Sequence, residues 1–264
     1  MLICGVVRNG GASFIKTLAV INEIKALCTG CSVVIVTNDN TDGTDAVLAG
    51  WGDASEHHHV IGLDGLATAW PDRIDRLAVA RNFYLNHLRE QPSGRFQLVL
   101  VLDMDGPNEA LDVAAFRRVI GEVTPGWDGL FANQRQAYYD LYALRHDRWC
   151  PGDCLEEVRL ARNRKVARNT LVYGRQYAIA PEHPPFRVRS AFGGLGLYRA
   201  EALTNCWYGS RTADGIKVCD HVVVNTEIDR RGGVLLIVPA LLNDAPSEHL
   251  RPLSGQRVPS SLKL

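Results

Sequence analysis

The sequence predicts an α/β fold with a mostly parallel central sheet. Three observations carry that prediction. Short apolar or β-branched runs alternate with longer segments whose apolar residues recur at helical spacing. Turns rich in Asn, Asp and Gly separate them. One run, residues 96–105, reads Phe-Gln-Leu-Val-Leu-Val-Leu-Asp-Met-Asp, a buried strand ending in two carboxylates. Strand–helix alternation implies parallel pairing through right-handed crossovers, with ligands at the carboxyl ends of the strands.

The elements follow in order. Leu2–Val7 is a short apolar strand, Arg8-Asn9-Gly10-Gly11 a turn, and 14–27 a helix with Phe14, Leu18, Ile21, Ile24 and Leu27 on one face. Ser32–Thr37 is a β-branched strand ending in Asn38-Asp39-Asn40-Thr41-Asp42-Gly43-Thr44, and a second helix begins at 45–48. A third strand is predicted near 58–61 and a helix over 74–88, containing Arg81 and Asn82. The acidic strand follows, stopped by Gly106 and Pro107, and then a helix over 110–123 and a strand over 129–133.

Beyond that the alternation breaks. Residues 138–145, with Tyr138, Tyr139 and Tyr142, read as an aromatic strand, 154–166 as a helix, and 191–198 as a glycine-rich strand. Residues 201–207 and 222–230 read as helices, 234–238 as the final strand, and 246–264 as a polar, partly mobile tail.

Composition bounds the function. A chain of 264 residues with 46% hydrophobic content can bury one large core, and no linker or repeat divides it. Lys+Arg and Asp+Glu both number 29, so no global field recruits nucleic acid. Local charge does cluster, in Arg159, Arg162, Arg164, Lys165 and Arg168, either as a solvated helix face or as a surface for a phosphate-bearing acceptor or lipid headgroups. Seven cysteines without dense spacing fit a reducing compartment, and the Cys28-Thr-Gly-Cys31 spacing has no second pair to complete a zinc site. No run approaches eighteen apolar residues, and the first residues lack a basic stretch before their apolar run. The expectation is a cytoplasmic protein, free or at the inner face of the membrane, with no transmembrane segment.

Asp103 and Asp105 are the leading candidates for chemistry. Carboxylates at i and i+2 on a strand point to one side and can share a divalent cation with phosphate oxygens. The alternative is that one caps a helix starting near Asn108 while the other is solvated.

The ordered set of segments carries a resemblance. A strand with an Arg8-Asn9 loop, a strand ending in Asn38-Asp39-Asn40-Thr41-Asp42-Gly43-Thr44, Ala80-Arg81-Asn82, and the Asp-x-Asp strand together resemble a GT-A glycosyltransferase, particularly of family 2. Downstream, Phe192-Gly-Gly-Leu-Gly-Leu-Tyr198 with Arg199 to Leu203 resembles the family's glycine-rich strand and following helix. Residues 219–232 have the length and terminal glycine of its acceptor segment. The matches span residues 2 to about 240, and their order is more specific than any single motif.

The resemblance implies a Rossmann-like α/β/α sandwich as one domain over 1–264, with a nucleotide-sugar half (1–107), an acceptor half (108–245) and a C-terminal tail (246–264). It implies a hexosyltransferase of inverting type, in cell-surface polysaccharide or glycan synthesis. The cofactor would be Mn²⁺ or Mg²⁺, the donor a UDP- or GDP-sugar, and the acceptor a glycan or lipid-linked saccharide. Asp103, Met104 and Asp105 would form the cation and diphosphate site. Val7, Arg8 and Asn9, with Asn38 and Asp39, would hold base and ribose, although turn chemistry accounts equally well for Asn38 and Asp39. Arg81 would approach the diphosphate, a guanidinium fork suiting phosphate oxygens.

On the acceptor side the chain departs from the family. Asp220 falls on its glutamate and His221 on its general-base aspartate, so either is a candidate base, with an N-capping Asp and a helix-end His as the alternative. His249 follows the last strand, where many relatives supply a further metal ligand. His57, His58 and His59 cannot all face one ion along a strand, and a strand-edge cluster is expected. Tyr138, Tyr139, Tyr142 and Trp149 are candidates for an acceptor wall or for core packing. Two other functions compete. A noncatalytic sugar-nucleotide- or glycan-binding domain would explain the missing aspartate at His221. A sugar nucleotidyltransferase would require a longer glycine-rich phosphate loop with a lysine than Arg8-Asn9-Gly10-Gly11 offers.

Overall fold

A computed structural model of the chain describes residues 1–260, 262 and 264. Its first half alternates regularly: β1 (Leu2–Val7), α1 (Gly11–Ala26), β2 (Ser32–Thr37), α2 (Thr44–Asp53), β3 (His58–Gly62), α3 (Leu66–Ala69), α4 (Arg73–Glu90) and β4 (Leu98–Asp103). The second half runs α5 (Val113–Glu122), β5 (Gly129–Gln134), α6 (Cys154–Leu160), α7 (Arg164–Leu171), β6 (Tyr177–Ala178), β7 (Phe186–Val188), β8 (Leu195–Arg199), α8 (Ala200–Leu203), α9 (Asp220–Arg230), β9 (Leu235–Asn243) and β10 (Gln256–Arg257).

Eight strands form one sheet in the order β3-β2-β1-β4-β8-β5-β9-β7. The pairs β3–β2, β2–β1, β1–β4 and β5–β9 are parallel, while β8 runs antiparallel to both β4 and β5, and β7 to β9. Strand period sorts the side chains into two cores. Leu2, Cys4, Val99 and Val101 pack with Tyr84 of α4 and Val222 and Ile228 of α9 on one face. Ile3, Val33, Leu100 and Leu102 pack with Phe14 and Ile21 of α1, Trp51 of α2 and Phe116 of α5 on the other. The result is the expected three-layer α/β/α sandwich.

The departures from expectation lie mostly in the second half. Residues 138–145 are not a strand, because the Asp140 carboxylate accepts the Ala143 and Gly193 N–H groups and closes a turn there. The helix predicted over 154–166 is two helices, α6 and α7, since the Asn163 side chain caps a new start by accepting from the Val166 N–H. Of residues 191–198 only Leu195 onward is strand: Gly193 and Gly194 have φ of +64° and +82° and form a loop. Helix α8 stops at Leu203 rather than 207, and α3 is an element that the periodicity does not reveal.

Strand β9 continues past 238 to Asn243 through a bulge. Ala132 pairs with Val238 but Asn133 with Leu242, and the Asn133 amide donates to the Pro239 carbonyl inside the bulge. The tail folds back on the body. β10 pairs with β6, and the Gly255 N–H donates to the Gln176 carbonyl.

Candidate active site

Because β1, β2 and β4 are parallel neighbours, their carboxyl ends align, and the loops at 8–10, 38–43 and 104–107 meet along one edge. The first two loops are stitched together. Asn9 N–H donates to the Asn40 side chain at 2.7 Å, and the Asn9 side-chain oxygen accepts from the Thr41 N–H at 2.7 Å. Gly10 N–H donates to the Thr44 hydroxyl, so the Asn-Asp-Thr loop also satisfies orphan donors at the start of α1. Asn9 and Asp39 adopt positive φ, +54° and +46°, a region that Asn and Asp tolerate better than other side chains.

Asp39 is occupied structurally. Its two oxygens accept from the N–H groups of Gly65 and Ala67, which orders α3, while the Asn38 amide donates to the second oxygen at 2.8 Å. The Asn38 donor, and then these backbone N–H groups, hold the Asp39 carboxyl below its usual range. A cavity of about 480 Å³ opens beside Asn38, Asp39 and His58. Arg8 is exposed and its Nε reaches the Asp39 carbonyl at 3.4 Å. The Val7 side chain is buried against α1, so only its backbone faces the edge. Met104 is likewise in the core: a Cβ on Gly5 would lie 1.7 Å from its Cε.

A cleft of about 310 Å³ lies between β4, the start of α4, the 139–142 turn, α6, α7 and the start of α9. Asp103, Arg81, Asp140, Asp220, His221 and His249 all line it. Behind Asp103 lies a buried amide network. Asn108 donates to the Asp103 and Gly194 carbonyls at 3.0 and 2.7 Å. Asn243 donates to the Gly193 carbonyl and to Asn108, and Gln134 donates to Gly193 and Asn243. A Cβ on Gly193 would meet Gln134 Nε2 at 2.5 Å, and one on Gly194 would meet Pro107 Cβ at 2.7 Å, so these two positions need glycine sterically as well as for their φ.

Charge in the cleft centres on Arg81. It is 4% exposed and forms ion pairs with Asp103, 3.2 Å from Nη2, and with Asp220, 2.7 Å from Nε. Burial pushes the Asp103 carboxyl up to about 7; Arg81 opposes that shift, and Asp105, Asp140 and Asp220 add to it. Asp105 itself is exposed beyond the end of β4. Burial would raise Asp220, but the Arg81 charge together with the Cys219 thiol and its own backbone N–H holds that carboxyl below its ordinary value.

His221 is buried, 2% exposed, and stacks on Phe192 with ring centroids 3.6 Å apart. Neither ring nitrogen has a hydrogen-bond partner among the described residues. Burial, reinforced by Arg81, lowers its pKa to about 3. The imidazole is therefore neutral at pH 7 and four units too weak for an efficient base there.

Asp140, which sequence reasoning missed, is a half-buried carboxylate in the same cleft. Burial raises its pKa, against the pull of the Gly193 and Ala143 N–H groups. Nothing in its neighbourhood marks it: one acid after two tyrosines reads as a strand position. His249, assigned to the tail, lies in the cleft with its ring stacked on Tyr139 at 5.4 Å. The aromatic group divides, with Tyr139 and Tyr142 lining the cleft and Tyr138 and Trp149 packed edge-to-face in the core. The three adjacent histidines separate as a strand-edge cluster should: His58 stacks on Trp51, and His59 lies against His87. A larger cavity, about 850 Å³, lies at the other end of β4 beside Trp127 and Arg199, remote from these acids.

No family model matches the chain, and no curated protein matches it in sequence. Its structure does have counterparts. A mannosyltransferase from Pyrobaculum calidifontis, solved with GDP-Man and Mn²⁺, superposes with a TM-score of 0.52 at 15% identity, over 92% of this chain and 56% of that one. GalNAc-T7, solved with UDP, GalNAc and Mn²⁺, gives 0.50 at 15% identity, over 97% of this chain and 44% of that one. The chain thus spans about half the length of these proteins. At this identity the likeness is one of fold, and the fold is GT-A.

Proposed function

We propose that this chain transfers a hexosyl group from a UDP- or GDP-sugar to a hydroxyl of a glycan or lipid-linked saccharide acceptor, with inversion, in glycan or polysaccharide synthesis. One observation carries the reading: the Asp103 and Asp105 end of β4 lies beside the β1 and β2 loops, with Asp220 ion-paired to Asp103's own partner, Arg81, in the same cleft. Residues 1–107 would hold the donor, its base in the cavity beside Asn38 and Asp39 and its ribose near Val7, Arg8 and Asn9. Residues 108–245 would receive the acceptor, with Tyr139 and Tyr142 as apolar wall.

The side chains fit a hard divalent cation. Among the described residues no three His, Cys, Asp or Glu side chains converge on one point. Mg²⁺, and the similarly hard Mn²⁺, use one or two carboxylates and complete their shell with phosphate oxygens and water, so a pair suffices. Burial first, and then the charges of Asp105, Asp140 and Asp220, raise Asp103, and a bound cation would offset both. Asp103 and Asp105 would hold it; His249 lines the same cleft, stacked on Tyr139, but does not converge with them as a third ligand. When bound it supplies Lewis-acid stabilisation of the departing diphosphate.

The protein's own groups do the rest. Asp220, ionised at neutral pH, would take the acceptor hydroxyl proton as that oxygen bonds to the anomeric carbon and the bond to the diphosphate breaks. Neutral His221 would act beside it as packing against Phe192 rather than as the proton acceptor. Seven free cysteines support a reducing, cytoplasmic setting, and no helix among the described residues is long and apolar enough to cross a membrane.

A second reading has one observation in its favour. Asp220 is 2% exposed and committed to Arg81, which suits a domain that binds a sugar nucleotide without turning it over. Hydrolysis and transfer measured over a panel of UDP- and GDP-sugars, with and without Mn²⁺, separate the two. Turnover with one donor supports the transferase; metal-dependent binding without turnover for every donor supports the binding domain.

A further inference from the structure

Beside the cleft the chain exposes a face that the transfer reaction does not need. Helices α6 and α7 form one wall of the cleft through Leu155 and Arg168. No residue of α7 is buried. Leu160 at the end of α6 is 69% exposed and Val166 in α7 is 58% exposed, the highest values for large apolar side chains among the described residues. From 158 to 181 the sequence contains no Asp or Glu. Arg159 and Arg175 in that stretch are paired with Glu156 and Glu157. Arg162, Arg164, Lys165 and Arg168 form no ion pair with any described residue.

The coincidence of the two features identifies the occupant. A dissolved anion would use the cations and gain nothing from Leu160 and Val166. A protein partner buries roughly 800 Å² per side around aromatic anchors, and this face carries no aromatic. A lipid surface uses both, since basic side chains meet anionic headgroups while neighbouring apolar side chains enter the acyl boundary.

We infer that the α6–α7 segment docks the protein on an anionic lipid surface, with Leu160 and Val166 entering the acyl boundary and Arg162, Arg164 and Lys165 within a Debye length of the headgroup charge. Docking in this way holds the adjoining cleft at the level of a lipid-linked acceptor's saccharide. That consequence rests on the transferase reading; the docking itself does not.

Co-sedimentation of the full chain with vesicles tests it. The protein binds phosphatidylcholine vesicles containing phosphatidylglycerol, does not bind pure phosphatidylcholine, and is released as salt rises, because the Debye length falls to about 3 Å at 1 M. Each neutralised cation lowers the partition about five-fold, so Arg162→Gln/Arg164→Gln/Lys165→Gln lowers it about a hundred-fold. Leu160→Ser/Val166→Ser lowers it about ten-fold. All five positions are exposed, so the melting temperature of both variants matches the parent. Failure to bind the anionic vesicles, equal binding to both vesicle types, or unchanged binding by the triple variant overturns the inference. So does displacement by inorganic phosphate at constant ionic strength, which indicates a site for a dissolved anion. Donor hydrolysis without vesicles is the separate readout of the transferase reading, and either result stands without the other.

Discussion

Arg81 on α4 and Asp220 at the first residue of α9 form a buried ion pair, Nε to Oδ2 2.7 Å, and the same guanidinium reaches Asp103 at the end of β4 at 3.2 Å. One cation thus joins the donor side of the cleft to the acceptor side. A buried pair contributes little over an apolar isostere, but removing one partner leaves charge uncompensated. Arg81→Ala is expected to lower unfolding free energy by about 3–5 kcal/mol, read from the urea midpoint. A double-mutant cycle with Asp220→Asn should give a coupling above about 1 kcal/mol, and additivity of the two changes would refute the pairing.

His221 makes stability depend on pH. Its folded pKa, about 3, lies below the usual 6.5, so between those values the unfolded chain binds more protons at this site than the folded one. Stability from this residue is complete above pH 6.5 and falls as the pH drops towards 3, by about 2 kcal/mol at pH 5. His221→Phe keeps the stack on Phe192 and should flatten that part of the profile. Equal pH slopes for parent and variant would show that the imidazole is not buried neutral.

Asp103→Asn and Asp105→Asn are expected to reduce donor turnover by about 100- to 1,000-fold and to weaken Mn²⁺-dependent nucleotide binding, measured by calorimetry with UDP and GDP. Metal-dependent binding that survives both substitutions would remove the cation assignment.

The amide network behind Asp103 depends on Gly194, where φ is +82° and a Cβ would press on Pro107. Gly194→Ala should cost about 1–3 kcal/mol in stability. Asn243→Ala should cost a similar amount, about 1–3 kcal/mol, by leaving the Asn108 side-chain oxygen and one lone pair of the Gly193 carbonyl without their donor. If either variant melts like the parent, the network is not held by these contacts.

The first half of the fold was legible because its rules are local. Period-2 and period-3.6 apolar patterns with Asn-Asp-Gly turns fix β1 to β4 and α1, α2 and α4 with boundaries a few residues off, and the parallel pairing of β4 with β1 sets Asp103 beside the loop after β1. The second half is governed by distant partners. Residues 138–145 carry strand-like aromatics, yet Asp140 accepts from Gly193 across the cleft and closes a turn, and no pattern within eight residues encodes that bond.

The sequence by itself determined the α/β alternation with its mostly parallel sheet and the acidic end of its central strand, since both follow from the order and spacing of side chains along the chain. Only the tertiary structure decided what the other candidates do. It clamps Arg81 between two carboxylates, turns Asp39 to cap α3, buries His221 in the cleft wall and Met104 in the core, and brings His249 from the tail to the cleft. Burial, ion pairing and pKa are properties of neighbours in space, and those neighbours come from segments that the local pattern leaves unconnected.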